Sequence, residues 1–138
     1  MKYYAVIDTN VIVSAFLKSN SIPETVLDLA LSGVIIPLLS DETVKEYTEV
    51  LSREKFGFGQ EIVNDFIKQI NAVGLFVNNA ESLDVTLPDE TDRVFYEIVM
   101  EKRKTDEAYL VTGNIKHFPS KPYVVTPKEM LKIIIEKN

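Results

Sequence analysis

The stretch VIDTNVIVSAF, residues 6–16, decides how the chain is read. Tyr3 to Ile7 is an unbroken apolar run, the pattern of a strand buried on both faces. Asp8-Thr9-Asn10 ends it, and residues 11 to 17 turn apolar again at the start of a helix. A strand that runs through a polar turn into a helix is the opening of a parallel α/β unit.

The same alternation continues along the chain. Pro23 and Glu24 suit the first turn of a helix running to about Ser32, with Gly33 as its stop. Val34 to Leu39 is a second apolar run, with Pro37 making its later half an uncertain strand. Ser40 is the expected N-cap of a helix from Asp41 to about Glu54, with Val44, Tyr47 and Leu51 as its buried stripe. Residues 53–59 read as a loop. The next helix is expected to turn Ile62, Phe66, Ile70 and Val73 inward and to stop at Gly74. Leu75 to Val77 is a short strand. Pro88-Asp89-Glu90-Thr91-Asp92 opens a helix reaching about Lys104, Tyr109 to Thr112 and Tyr123 to Val125 are further strands, and Thr126-Pro127-Lys128-Glu129 is a capping box for a terminal helix. With neither repeat nor linker, residues 1–138 are expected to form a single domain.

Composition narrows the function. Apolar residues are 46% and charged residues 26% of 138 residues, as in an ordered globular chain. No apolar run approaches the roughly 18 residues of a membrane span, and the first run is cut at Asp8 before it can serve as a signal peptide. The chain has no cysteine, which excludes thiolate metal sites, cysteine nucleophiles and disulfides and makes a cytoplasmic protein the expectation. A net charge of −6 argues against a general nucleic-acid coat, which needs a basic surface, but not against a nuclease that holds its metal with carboxylates.

Sites in parallel sheets form beyond the C-terminal strand ends, which directs attention to Asp8, to the Ser40 helix and to Thr112-Gly113-Asn114. Read from position alone, Asp8 is either a half-desolvated carboxylate at the lip of the sheet or the cap of the following helix. Glu46, flanked by Glu42 and Glu49, reads as part of a solvated acidic face. Asp92 reads as a partner of a capping Asp89.

The pieces VIDTNVIVSAF, LSDETVKEYTEVLSREKF, PDETDRVFYEIV, YLVTGN and VVTPKEML, in this order, resemble the PIN-domain ribonucleases. The likeness covers nearly the whole chain and is nearest to the group regarded as toxin components of toxin–antitoxin systems. It implies a three-layer α/β fold with a central parallel sheet of about five strands and helices on both faces. It also implies metal-dependent cleavage of RNA by an acidic site of Asp8, Glu46 and Asp92. Asn114 stands at the fourth corner, where many relatives have Asp. Mg2+ or Mn2+ is the implied cofactor, since hard cations prefer oxygen ligands. The expected roles are Asp8 and Asp92 as metal ligands and Glu46 as a ligand or positioner of the attacking water. Asn10, Ser40 and Thr112 orient the site from behind, Ser40 chiefly as a cap, and Asp89 is the substitute for Asp92. With Asn114 uncharged, one firmly bound ion is expected, a second being recruited with RNA. A cognate antitoxin is the expected protein partner.

Two other classes compete with an endoribonuclease. One is a PIN-fold RNA- or protein-binding module without catalysis, in keeping with Asn114 and the acidic charge. The other is phosphoryl transfer of the haloacid-dehalogenase kind, disfavoured because position 10 is Asn where that family has a second Asp. His117, the only histidine, reads as a loop anchor. Lys102-Arg103-Lys104 and Arg53 with Lys55 read as cations at helix C-termini, and Phe56 and Phe58 as core-edge packing. Ile133-Ile134-Ile135 is apolar around too much of a helix for one face, so a homodimer contact is expected there.

Overall fold

The computed structural model describes residues 2–137. The chain runs β1 (Tyr3–Ile7), α1 (Thr9–Leu17), α2 (Ile22–Ser32), β2 (Ile35–Leu39), α3 (Asp41–Leu51), α4 (Gln60–Val73), β3 (Leu75–Phe76), α5 (Arg93–Arg103), β4 (Ala108–Val111), β5 (Val124–Val125) and α6 (Pro127–Lys137). The strands form one five-stranded sheet in the order β3-β2-β1-β4-β5, parallel throughout. From β1 the chain steps outward to β2 and β3, then crosses back over β1 to β4. Right-handed crossovers in opposite directions place helices on opposite faces: α2 packs on β2, while α5 lies across β1, β2 and β4. The expected layered α/β architecture is therefore present. The core sits on both sides of β1, where Ala5, Val6 and Ile7 are fully buried together with Ile35, Leu38, Leu39 and Leu110.

Local signals account for most of these boundaries. Ser21 caps α2 through the Glu24 N–H, and Gly33 ends it at φ 92°, a left-handed conformation that glycine adopts without steric cost. Ser40 Oγ accepts from the Thr43 N–H while Thr43 Oγ1 accepts from the Ser40 N–H, a closed capping box. Thr126 and Glu129 make the same reciprocal pair at the head of α6. Pro37 sits inside β2, facing Ala5. It is tolerated because β3 pairs only with Leu38 and Leu39, beyond the missing N–H.

Several expectations are corrected. The inward face of α4 is Val63, Phe66 and Ile70, whereas Ile62 is 61% exposed and Val73 lies at the surface. Ile62 and Val63 are adjacent apolar residues, and a rotation of one position exchanges them. Helix α3 stops at Leu51, and a 3-10 turn over Glu54–Phe56 interrupts the following loop. The helix after Pro88 begins as a 3-10 turn over Glu90–Asp92, with α5 proper starting at Arg93. In α6, Met130 and Ile134 face inward while Ile135 is 74% exposed, so one face is enough to seat the helix, and a dimer is not needed to explain the isoleucines.

The charged and aromatic segments are tied down. Lys102 pairs with Asp106 and Lys104 with Glu81 and Glu101, and Arg103 donates to the Ala108 carbonyl. Phe58 packs 5.2 Å from Phe16 and stacks on Phe56. Arg93 reaches back to the carbonyls of Leu83 and Val85, pinning the extended segment that precedes it.

Candidate functional site

The sheet changes winding direction between β1 and β4, and such a switch point opens a crevice at the carboxyl ends of the strands. Asp8 follows β1 there and Thr112 follows β4. The Asp8 N–H bonds to the Val111 carbonyl and the Thr112 N–H to that of Val125, so both residues extend the sheet by one step. Asp8 is only 5% exposed.

Asp8 is not a side-chain cap: it precedes α1, yet its carboxylate makes no capping hydrogen bond across the helix start. Instead, Asp8 Oδ2 accepts from Thr112 Oγ1 at 2.8 Å and from Asn10 Nδ2 at 3.1 Å. Asn10 Oδ1 in turn accepts from the Gly113 N–H, and Thr112 Oγ1 accepts from the Asn114 N–H. The β1 and β4 ends are thus stitched through neutral side chains. A Cβ at Gly113 would stand 3.3 Å from Asn10 Oδ1, a close approach that leaves little room for a larger residue.

Glu46 is half-buried and differs from its exposed helix neighbours Glu42 and Glu49. It accepts a short hydrogen bond from Thr9 Oγ1, which turns it towards the head of α1 and away from the solvated face expected for it. One residue on, the buried Tyr47 phenol donates to the Ile7 carbonyl and locks α3 against the strand that carries Asp8.

The two candidates before α5 separate cleanly. Asp89 is exposed, and its carboxylate accepts from the Thr91 N–H and hydroxyl, a cap. Asp92 has a side chain 13% exposed, makes no cap, and its Oδ2 is buried without a hydrogen bond among the described residues. The His117 Nδ1 lies 3.3 Å from that oxygen. The histidine read as a loop anchor is therefore at the site, while the neighbouring Phe118 is the residue that packs.

The three carboxylates feel one another. Burial pushes the Asp8 carboxyl up to about 6, and Asp92 and Glu46 push in the same direction against the bonds from Thr112 and Thr9. Glu46 is raised by burial, with Asp92 and Asp89 adding to it, and Asp92 by burial and Asp89. Of the remaining candidates, Ser40 is occupied as a cap. Asn114 is exposed and engaged through its backbone, donating to Thr112 and accepting from the His117 N–H. Thr9 escapes the sequence reading although it lies within the Asp-Thr-Asn turn itself, Tyr47 is read there only as part of a buried stripe, and His117, the one histidine, is visible as a candidate base or ligand but read as a loop anchor.

A parallel sheet whose winding changes direction between β1 and β4, with helices on both faces, defines a doubly wound α/β protein. The chain belongs to the PIN domain family, whose model matches residues 4–116. No curated protein and no solved structure matches it. PIN domains are in general nucleases, hydrolases that typically use divalent metals. Among the described residues, no group of three or more His, Asp or Glu side chains stands close enough to form a ready ion cage. The donor set nevertheless fits a hard divalent cation. It is all oxygen, partly desolvated and mutually repulsive, and it includes a buried carboxylate oxygen with no hydrogen bond. No described helix is long and apolar enough to cross a membrane.

Proposed function

We propose that the protein is a Mg2+- or Mn2+-dependent endoribonuclease whose acidic site is Asp8, Glu46 and Asp92. The observation that carries this reading is the buried Oδ2 of Asp92, which has no hydrogen bond among the described residues and the His117 Nδ1 3.3 Å away, beside two other carboxylates whose pKa burial raises. Leaving such a group unpaired costs about 1–3 kcal/mol, and more when it is charged, which a cation would offset. Asp8 and Asp92 would hold the ion, with Asn114 available to add a carbonyl oxygen. A bound divalent cation supplies Lewis-acid polarisation of the phosphodiester and lowers the pKa of a coordinated water. Glu46, held by Thr9, would orient a water and take up its proton. Thr112 and Asn10 fix the rotamer of Asp8 through the bonds described above, and Asp89 and Ser40 act as caps. RNA cleavage measured with Mg2+, with Mn2+ and with EDTA tests the proposal, using Asp8→Asn as the control. Cleavage by that variant at the wild-type rate would reject the site.

A place in a toxin–antitoxin pair is the biological role we favour. A groove between α1, α2 and α4 supports it, with Leu27 and Phe66 lining it, exposed Ile62 at its side and Glu24, Asp28 and Asp65 around it. This chemistry suits a basic amphipathic segment of a partner protein. The absence of a ready three-group ion cage among the described residues favours a second reading, a binding module without catalysis. RNA binding that is indifferent to metal, with no cleavage of any RNA under either ion, would establish it.

A further inference from the structure

Three grooves on this acidic chain have no carboxylate among their lining residues. Beside β5, a groove of about 310 Å³ is lined by Ile115, Lys116 and Lys121, with Ser120 between. A second groove, of about 250 Å³, is formed by Asn10, Ser14, Gly113 and Asn114 between the walls of Pro23 and Pro127, its Asn114 being the chain neighbour of Ile115 in the first. Ser14 and Pro23 also line a third, of about 590 Å³, that continues to Lys18, Asn20 and Ser21. The groove at the head of α3 is lined by Asp41, Glu42 and Glu97 and the one between α2 and α4 by Glu24, Asp28 and Asp65. Lys18, Lys116 and Lys121 are exposed and belong to none of the ion pairs among the described residues, unlike Lys102, Lys104, Lys132 and Lys137.

The second groove passes the acidic site. Asn10, which lines it, donates to Asp8 Oδ2, and Gly113 and Asn114 follow directly on Thr112, the other donor to that oxygen. An anionic strand approaching three carboxylates needs cations away from the reacting centre and neutral hydrogen-bonding groups close to it. The three grooves offer this order: lysine, amides and a hydroxyl, then lysine. We propose that single-stranded RNA spans these grooves, with backbone phosphates held by Lys116 and Lys121 on one side of the site and by Lys18 on the other. The amides of Asn10 and Asn114 and the hydroxyl of Ser14 receive the intervening nucleotide between Pro23 and Pro127. The track rests on the nuclease reading for its choice of ligand.

The test is equilibrium binding of a labelled single-stranded RNA to the full chain in EDTA, followed by fluorescence anisotropy across a salt series. Each phosphate-neutralising lysine contributes a log–log salt slope of about 0.7 on a single strand, or about 2.6-fold in Kd between roughly 50 and 200 mM salt. Replacing Lys18, Lys116 and Lys121 by Gln together is expected to flatten the slope by about 2, whereas Lys68→Gln, on the exposed side of α4, leaves it unchanged. Ser14→Asp, which puts a carboxylate on the track, is expected to weaken binding about tenfold. A triple variant whose slope matches that of Lys68→Gln overturns the track, and so does failure of the wild type to bind RNA at any salt. Wild-type RNA cleavage under Mg2+ or Mn2+ is scored in parallel. Lysine-dependent binding without cleavage retains the track and rejects the nuclease reading, whereas cleavage with a slope indifferent to the three lysines does the reverse.

Discussion

Replacing Asp8 by Asn should abolish cleavage and yet stabilise the ion-free protein. The folded environment raises this carboxyl from 3.8 to about 6, chiefly by burial. That rise corresponds to about 3 kcal/mol of native-state stability forfeited once the group is ionised. Asparagine can keep the acceptor role towards Thr112 and Asn10 through its carbonyl. The expected gain near pH 7.5 is therefore about 3 kcal/mol, or about 9–15 °C in Tm for a chain of this size. The pH dependence is specific. Because folding raises this pKa, the native state keeps a proton that the unfolded chain has already released. The stability associated with it is full below about pH 4 and is lost as pH rises through about 6. The advantage of Asp8→Asn over wild type should thus be near zero at about pH 4 and complete by about pH 7. Adding Mg2+ should raise the wild-type Tm and leave the variant's unchanged. Thermal unfolding followed by circular dichroism, in EDTA and in Mg2+ across this pH range, measures all of it. An Asp8→Asn variant that melts below wild type in EDTA at neutral pH, or whose advantage is the same at both ends of the range, refutes the reasoning.

Other outcomes follow from the same geometry. Asp92→Asn is expected to lower the cleavage rate by at least about a hundredfold, a loss on the scale of an electrostatic group removed from a reacting centre, while Asp89→Ala retains cleavage and lowers the melting temperature as a lost cap; single-turnover kinetics and melting of the two variants distinguish them. Ser40→Ala should likewise lower stability by about 1 kcal/mol by opening the capping box, with cleavage by the folded protein unaltered. Isothermal titration of the RNA-free protein with Mg2+ should show one tight site, since Asn114 adds no charge; two tight sites would contradict that reading.

Much of this architecture is legible in the sequence because its signals are local. The run before Asp8, the Ser21 and Gly33 ends of α2, and the Ser40 and Thr126 boxes are each decided by residues within a turn of one another. Burial phase is less secure. Ile62 and Val63 satisfy a helical stripe equally well, and only the neighbouring α3 and β2 surfaces decide between them. The acidic site is legible as a list of residues but not as a set of contacts. Thr112 meets Asp8 across most of the chain's length, and no periodicity encodes that pairing. Asp89 and Asp92 cannot be told apart by spacing because the 3-10 turn at Glu90–Asp92 sets which carboxylate faces inward. Arg93, a charged residue that satisfies the Leu83 and Val85 carbonyls, is equally silent in one dimension, whereas His117 stands out as the one histidine and only its approach to Asp92 is hidden.

The cost of the site and its proposed use are two views of one quantity. Thr9, Asn10 and Thr112 each donate a hydrogen bond to Asp8 or Glu46, so the carboxylates are held in place without being neutralised. The surrounding core, with Ile7 and Tyr47 fully buried at the same strand end, enforces that arrangement. If a cation relieves the roughly 3 kcal/mol that Asp8 forfeits by ionising in this setting, the same free energy reappears as about a hundredfold in ion affinity. Linkage then requires that stabilisation and ion binding trade against each other at these positions. Substitutions that ease the repulsion should strengthen the empty fold and weaken its hold on the metal in proportion. Those at Ser40, a cap whose hydroxyl closes the box with Thr43, should change stability and leave ion affinity where it was.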